Sequence, residues 1–196
     1  MQVEPLHAAS GVPMQGPLLI TPQVFGDNRG FFLESWNQCR FDDAVGTPTT
    51  FCQDNHSRSS RGVLRGLHYQ LEPEPQGKLV RCTAGAIFDV AVDLRRSSPT
   101  FGAWVGAELS AENQRQLWVP VGFAHGFLTL SESAEVLYKA SGFWSKACER
   151  SLRWDDPQLA ITWPLDRLNG AAPLLAEKDA AAPSLAEAAT AGEVFA

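Results

Sequence analysis

The chain has 196 residues, enough for one good-sized hydrophobic core and few for two. With 44% hydrophobic residues, six Trp and eleven Phe, it can bury enough apolar surface to exclude global disorder. A formal charge of −6 argues against a sequence-independent grip on nucleic acid or anionic lipid, so an anionic small ligand would need a local basic cluster.

The reading is one domain over 1–196, with an N-terminal arm at 1–20, a β core at 21–165 and a connector and tail at 166–196. Residues 1–20 mix Pro, Gly and small residues without periodicity and read as an irregular arm that could pair with a partner chain. They contain no basic segment followed by an apolar run, and no stretch approaches the roughly 18 apolar residues of a membrane span. A cytoplasmic protein with no membrane or nucleic-acid partner is therefore expected. Residues 78–95 alternate, with Phe88, Val90, Val92 and Leu94 on one face and Asp89, Ala91, Asp93 and Arg95 on the other, and Ala84-Gly85 punctuates the run. This predicts a hairpin with one core face. Apolar segments at 103–109, 115–119, 126–130 and 135–140 follow at the spacing of a sandwich or barrel, so the centre is all-β. Helical signals are weak until the end of the chain, where 171–196 becomes rich in Ala, Glu and Leu; one or two short helices are expected there and the last dozen residues are open to fraying. Cys39, Cys52, Cys82 and Cys148 are spread singly, which suits buried small hydrophobes rather than a zinc site or disulfide framework.

Two of the four histidines stand in unusual settings. His68 follows Arg65-Gly66-Leu67, where a bulge at Gly66 would turn Arg65 and His68 into one cavity; the alternative is a satisfied core histidine. His125 closes the turn Pro120-Val121-Gly122-Phe123-Ala124 and fits part of the second motif of cupin jelly rolls. Cupins often bind a metal through a first-motif histidine pair and carboxylate. Here the first motif would read His68-Tyr69-Gln70, with Gly77 and Lys78 where the carboxylate belongs, a poor set for a divalent cation. Without a metal, a cation must stabilise developing negative charge. Lys78, Arg81, Arg29 and Arg65 could converge on a barrel mouth, although each alone could be a solvated surface charge. Tyr138, in Val136-Leu137-Tyr138-Lys139, is a further proton-transfer candidate or else a buried structural tyrosine.

Together the segments at Phe25–Glu34, Gln53–Ser57, Arg65–Gln70, Gln76–Arg81, Phe88–Asp93, Ser98–Gly102, Pro120–Phe127, Leu137–Lys139 and Arg153–Pro157 resemble the dTDP-4-dehydrorhamnose 3,5-epimerase family, metal-free cupins, from about residue 18 to 183. The resemblance implies a jelly roll with short C-terminal helices, no cofactor or metal, and a homodimer exchanging sheet edges and arms. It implies epimerisation of C3 and C5 of dTDP-4-dehydro-6-deoxy-D-glucose, giving dTDP-4-dehydro-L-rhamnose. By the same resemblance His68 is the general base, Tyr138 the acid, Asp179 the carboxylate orienting the base and Lys78 the cation beside the C4 oxygen. His125 would contact the sugar, Phe143 would stack on the thymine, and Arg29, Glu34, Gln53, Asn55, Arg65, Glu149 and Lys178 would hold the nucleotide and its diphosphate. The connector 166–173 is longer than the family pattern, so Lys178 and Asp179 are assigned across an insertion. Rival readings are a monofunctional 3- or 5-epimerase, a metal-dependent cupin enzyme and a non-catalytic nucleotide-sugar binder.

Overall fold

The structure, a computed structural model, describes residues 1–8 and 11–196. Thirteen strands form along these residues: β1 Gln2–His7, β2 Pro13–Thr21, β3 Val24–Asp27, β4 Gly30–Leu33, β5 Gln53–Ser60, β6 Leu64–Gln70, β7 Lys78–Ala84, β8 Ala86–Asp93, β9 Trp104–Ser110, β10 Gln116–Val119, β11 Phe123–Thr129, β12 Ser133–Ala140 and β13 Glu149–Ser151. The helices are α1 Gln38–Val45, a 3₁₀ turn at Leu165–Leu168, α2 Glu177–Ala180 and α3 Leu185–Thr190. An antiparallel sheet in the order β1-β2-β10-β7-β12-β5 packs on a second, β13-β6-β11-β8-β9, while β3 and β4 pair only with each other. This is the expected all-β jelly-roll sandwich.

Apolar side chains at alternate strand positions build the core between the sheets, with Val80, Cys82, Ile87, Ala91, Leu117, Phe127 and Val136 at its centre. A second cluster lies outside the five-stranded sheet, where Leu67, Val90, Val92, Leu128 and Leu152 meet Leu168 and Leu185 of the C-terminal segment. A third, smaller one packs Phe41 of α1 on Ile20, Leu79 and Trp118 of the six-stranded sheet. The strands expected at 103–109, 115–119, 126–130 and 135–140 correspond to β9, β10, β11 and β12.

Four expectations are corrected. Residues 78–95 are not a hairpin, because β7 pairs with β10 and β12 whereas β8 pairs with β9 and β11. The turn at Gly85 carries the chain from one sheet to the other, and a Cβ there would lie 2.1 Å from the Ser133 carbonyl oxygen. Both faces of β8 are consequently buried, Asp89, Ala91 and Asp93 as fully as Val90 and Val92. The supposed irregular arm, of which residues 9 and 10 lie outside the described residues, instead contains β1 and β2, with β2 in register against β10. Pro5 fits because β1 is an edge strand, where a missing N–H leaves no ladder bond unmade. Of the cysteines, Cys82 and Cys148 are buried, but Cys39 on α1 and Cys52 before β5 are exposed. The last dozen residues are docked: Leu185 and Ala188 are buried and Phe195 pairs with Arg95.

Candidate active site

The site begins with a break in register. Between β6 and β11, His68 lies opposite His125 and Arg65 opposite Phe127, so β6 carries one extra residue at Gly66-Leu67. Gly66 has φ +130°, and a Cβ on it would meet the Gly126 Cα at 2.5 Å and the His125 carbonyl oxygen at 2.9 Å. Only glycine permits that approach. The bulge turns Arg65 and His68 into the same cavity, about 490 Å³ in volume, between the two sheets.

His68 Nε2 lies 2.6 Å from Oδ1 of Asp179, a residue only 2% exposed on α2. Burial alone would raise the Asp179 carboxyl, but the His68 hydrogen bond, the Gly66 amide and Lys178 together hold it below the usual carboxylate range. Asp179 is therefore ionised at neutral pH, so the ring proton belongs on Nε2 and the lone pair on Nδ1 is left to accept a proton. Burial pushes the His68 imidazole below its ordinary value, outweighing the opposite pull of Asp179, so the base is neutral at physiological pH.

Lys78 enters from β7, 8% exposed, with its Nζ 5.9 Å from the centre of the Tyr138 ring. Burial pushes its pKa down to about 8, against the attraction of Asp89 and Glu149. Tyr138, on β12, has its phenol raised by burial and by Glu149, so it keeps its proton through neutral pH. His125 Nε2 is 2.7 Å from Oδ1 of the fully buried Asp89, whose Oδ2 has no hydrogen-bond partner. At the mouth, Lys178 Nζ donates to Glu149 Oε1 at 3.2 Å, and Arg65 Nε donates to Ser59 Oγ at 3.0 Å. Among the described residues no three ligating side chains converge on a possible metal position. Gln70 instead donates to the Glu74 and Phe143 carbonyls and accepts from the Ser145 amide.

His68, Lys78, Tyr138, Asp179, Arg65, His125, Glu149 and Lys178 thus line one cavity, and the insertion at 166–173 does not displace Lys178 or Asp179. Gln53 and Asn55 stand beside it on β5: Asn55 is opposite Tyr138 in register, and Gln53 donates to Asn55 Oδ1 at 3.0 Å. Phe143 does not line it. Trp144 does, its backbone amide donating to Gln53 Oε1 and its indole to Glu149 Oε1. Arg29 and Glu34 lie apart from the cavity; Arg29 at the β3–β4 turn pairs with Asp27, and Glu34 pairs with Arg40. Arg81 points to the opposite face of β7 from Lys78 and lines a separate recess. Sequence reasoning missed Asp89 and Trp144 as site residues. Asp89 could have been found from the alternation of β8, once both of its faces are known to be covered.

The family profile described as dTDP-4-dehydrorhamnose 3,5-epimerase matches residues 11–187. This chain belongs to the dTDP-4-dehydrorhamnose 3,5-epimerase family. The protein of that name from Pseudomonas aeruginosa is 61% identical over 171 residues, 87% of this chain and 92% of the relative. Among solved structures, the Mycobacterium tuberculosis epimerase superposes with a TM-score of 0.92 at 40% identity, covering all of this chain and 94% of that one. The Legionella pneumophila dTDP-6-deoxy-D-glucose-3,5-epimerase, solved with dTDP-4-keto-L-rhamnose, gives 0.85 at 48% identity over 94% of both chains. In this member of the epimerase family the profile stops at residue 187, so the second half of α3 and the docked C-terminus lie beyond the matched region.

Proposed function

We propose that this protein epimerises C3 and C5 of dTDP-4-dehydro-6-deoxy-D-glucose to give dTDP-4-dehydro-L-rhamnose, through enolate intermediates and without a cofactor. The observation that carries the reading is a neutral, carboxylate-oriented His68 sharing one cavity with a protonated Tyr138 and a buried Lys78. Inverting a carbon beside a ketone requires removal of its proton and return of a proton on the other face, so a base and an acid must flank the sugar. His68 Nδ1 takes the proton, Tyr138 supplies one from the opposite sheet, and Lys78 stabilises the C4 oxyanion between them. Asp179 holds the tautomer. Arg65, Gln53, Asn55, Glu149 and Lys178 stand at or beside the cavity and suit the nucleotide and its diphosphate, the cations taking the phosphates. Trp144 replaces Phe143 as the ring for stacking on the base, since it forms the wall of the cavity.

The same reading makes the protein a homodimer. The β3–β4 ribbon leaves Phe25, Phe31 and Phe32 more than half exposed, and Arg29 and Glu34 stay away from the His68 cavity of their own chain. A partner would cover the first and bring the second to a site. Free thiols at Cys39 and Cys52 on the surface suit a reducing compartment and support a cytoplasmic reading. No helix among the described residues is long and apolar enough to cross a membrane.

The test is proton NMR of dTDP-4-dehydro-6-deoxy-D-glucose with the purified protein in D₂O, with and without a chelator. Chelator-resistant deuterium at both C3 and C5 is expected. Label at one carbon only would make the enzyme monofunctional, loss of label with chelator would make it a metal cupin, and no label would leave a binder.

A further inference from the structure

α2, which carries Asp179 and Lys178, is four residues long, too short to hold a helical conformation on its own. Its position comes from what grips it at either side. Upstream, the Leu174 amide donates to the Gly62 carbonyl and the Leu174 carbonyl accepts from the Leu64 amide. Downstream, four residues beyond Asp179, the Pro183 carbonyl accepts from the Arg153 amide, and the Leu185 amide donates to Oδ2 of the buried Asp156 at 2.6 Å. From there the chain runs behind β6. Leu185 is fully buried against the outer face of the five-stranded sheet, and Ser184 closes a capping box with Glu187 that starts α3.

β6 presents His68 to the cavity and its neighbour Tyr69 to this outer face. The Tyr69 hydroxyl donates to the Glu193 carbonyl at 2.6 Å, and its ring lies 6.1 Å from that of Phe195. Arg150, opposite Tyr69 in register, donates to Glu193 Oε1 at 2.7 Å. Phe195 is pinned in turn, its amide donating to the Leu94 carbonyl and its carbonyl accepting from the Arg96 amide. The tail thus holds both halves of the Asp179–His68 pair: it anchors the residues that follow α2 and it grips the strand residue beside the base.

We propose that the docked segment 185–196 is a positioning clamp for the Asp179–His68 pair, acting from the face of β6 opposite the active site. The proposal rests on the epimerase reading for its kinetic test but not for its spectroscopic one. Removing residues 192–196 takes away the acceptor of the Tyr69 hydroxyl and the ring packed on it, and with them the contacts that hold the strand residue beside the base. A small displacement of a catalytic base costs rate out of proportion to its size.

The experiment compares the full chain with a variant ending at Ala191 and with the milder Tyr69→Phe and Phe195→Leu, each checked for a cooperative thermal transition. The groups facing His68 are Asp179 and Lys178 from α2, Lys78 from β7, His125 from β11, Tyr138 from β12, Glu149 from β13 and Arg65 from β6 itself. Of these, Asp179 is the one bonded to the ring; its own anchors at Pro183 and Leu185 stay in the shortened chain, so the bond is lost by movement of the His68 strand. The shortened enzyme should lose about 10-fold or more in kcat with KM changed less than about 2-fold. The acid limb of its kcat/KM profile should move to lower pH, because the imidazole loses the carboxylate that favours its protonated form. The low-field proton resonance of the His68–Asp179 bond should broaden or vanish. A folded variant with the whole profile merely scaled, its acid limb in place and the resonance intact, overturns the clamp. Should the shortened chain not fold, Tyr69→Phe and Phe195→Leu decide by the same shift and the same resonance. Should the full chain exchange no deuterium into the sugar, the epimerase reading fails, while the resonance still reports on the clamp.

Discussion

A buried ammonium resists its own charge, and Lys78 shows it: burial brings its pKa down to about 8. Stabilising an enolate needs the charged form, so kcat/KM should fall as pH rises through about 8, when the free enzyme loses that proton. It should also fall at low pH, as His68 takes up a proton and ceases to accept one. The profile is therefore a bell, and in Lys78→Gln the alkaline limb should disappear while the plateau drops by about 10²–10³. An alkaline limb that survives the substitution would assign it to another group. The two proton-transfer roles separate in the same way. Tyr138→Phe should still wash deuterium into the sugar while losing the epimerised product, because the base is intact and the opposite-face acid is gone, whereas His68→Ala should lose both. Complete epimerisation by Tyr138→Phe would remove Tyr138 from its role. These three residues were readable in the chain because each sits in a distinctive short segment. Asp89 and Trp144 were not: a strand aspartate looks solvent-facing until the second layer over β8 is known, and adjacent rings at 143 and 144 cannot be told apart before the loop is placed.

At the scale of elements, the bulge in β6 is the feature on which the site's geometry turns. Gly66→Ala would add a methyl group 2.5 Å from the Gly126 Cα in a backbone conformation that L-residues avoid. Straightening β6 to relieve it would turn His68 out of the cavity. The expected result is about 2–3 kcal/mol of lost stability by denaturant titration and at least about 10²-fold lower kcat. A variant with near-normal kcat would show that the bulge is not what aims His68. The glycine between Arg65 and His68 announced this feature in the sequence. Elsewhere the sequence pattern was a partial guide. Alternation located β9 to β12, because these strands are short and set off by Gly, Pro, Ser and Asn. It did not say which strands pair, so β7 and β8 passed for a hairpin, and Pro5, Pro13 and Pro17 masked β1 and β2. Helix α1 has its caps in plain view, Asn37 accepting from the Arg40 amide and Gly46 left-handed at the far end. Its single buried residue, Phe41, gives too little apolar periodicity to betray a helix.

For the whole molecule the open surface is the β3–β4 ribbon. A two-stranded ribbon with no third strand is marginal in water, and this one exposes Val24, Phe25, Phe31 and Phe32 together. Burying those rings against a second copy would stabilise both, and a two-fold arrangement would repeat the contact at each ribbon. Arg29 at its tip would then serve the partner's site rather than its own. The two parts of this expectation are tested separately. Sedimentation should show a dimer, and Phe31→Ser with Phe32→Ser should shift it toward monomer and weaken nucleotide binding. The sharper test mixes two crippled proteins, His68→Ala and Arg29→Ala, after unfolding and refolding them together. If Arg29 acts across the interface, each mixed dimer holds one site with both residues intact, and about a quarter of all sites recover full activity at low substrate. If Arg29 acts within its own chain, no site in the mixture has both residues, and activity stays at the average of the two parents. The second outcome would leave the exposed ribbon in need of another explanation and would remove Arg29 from the partner's active site.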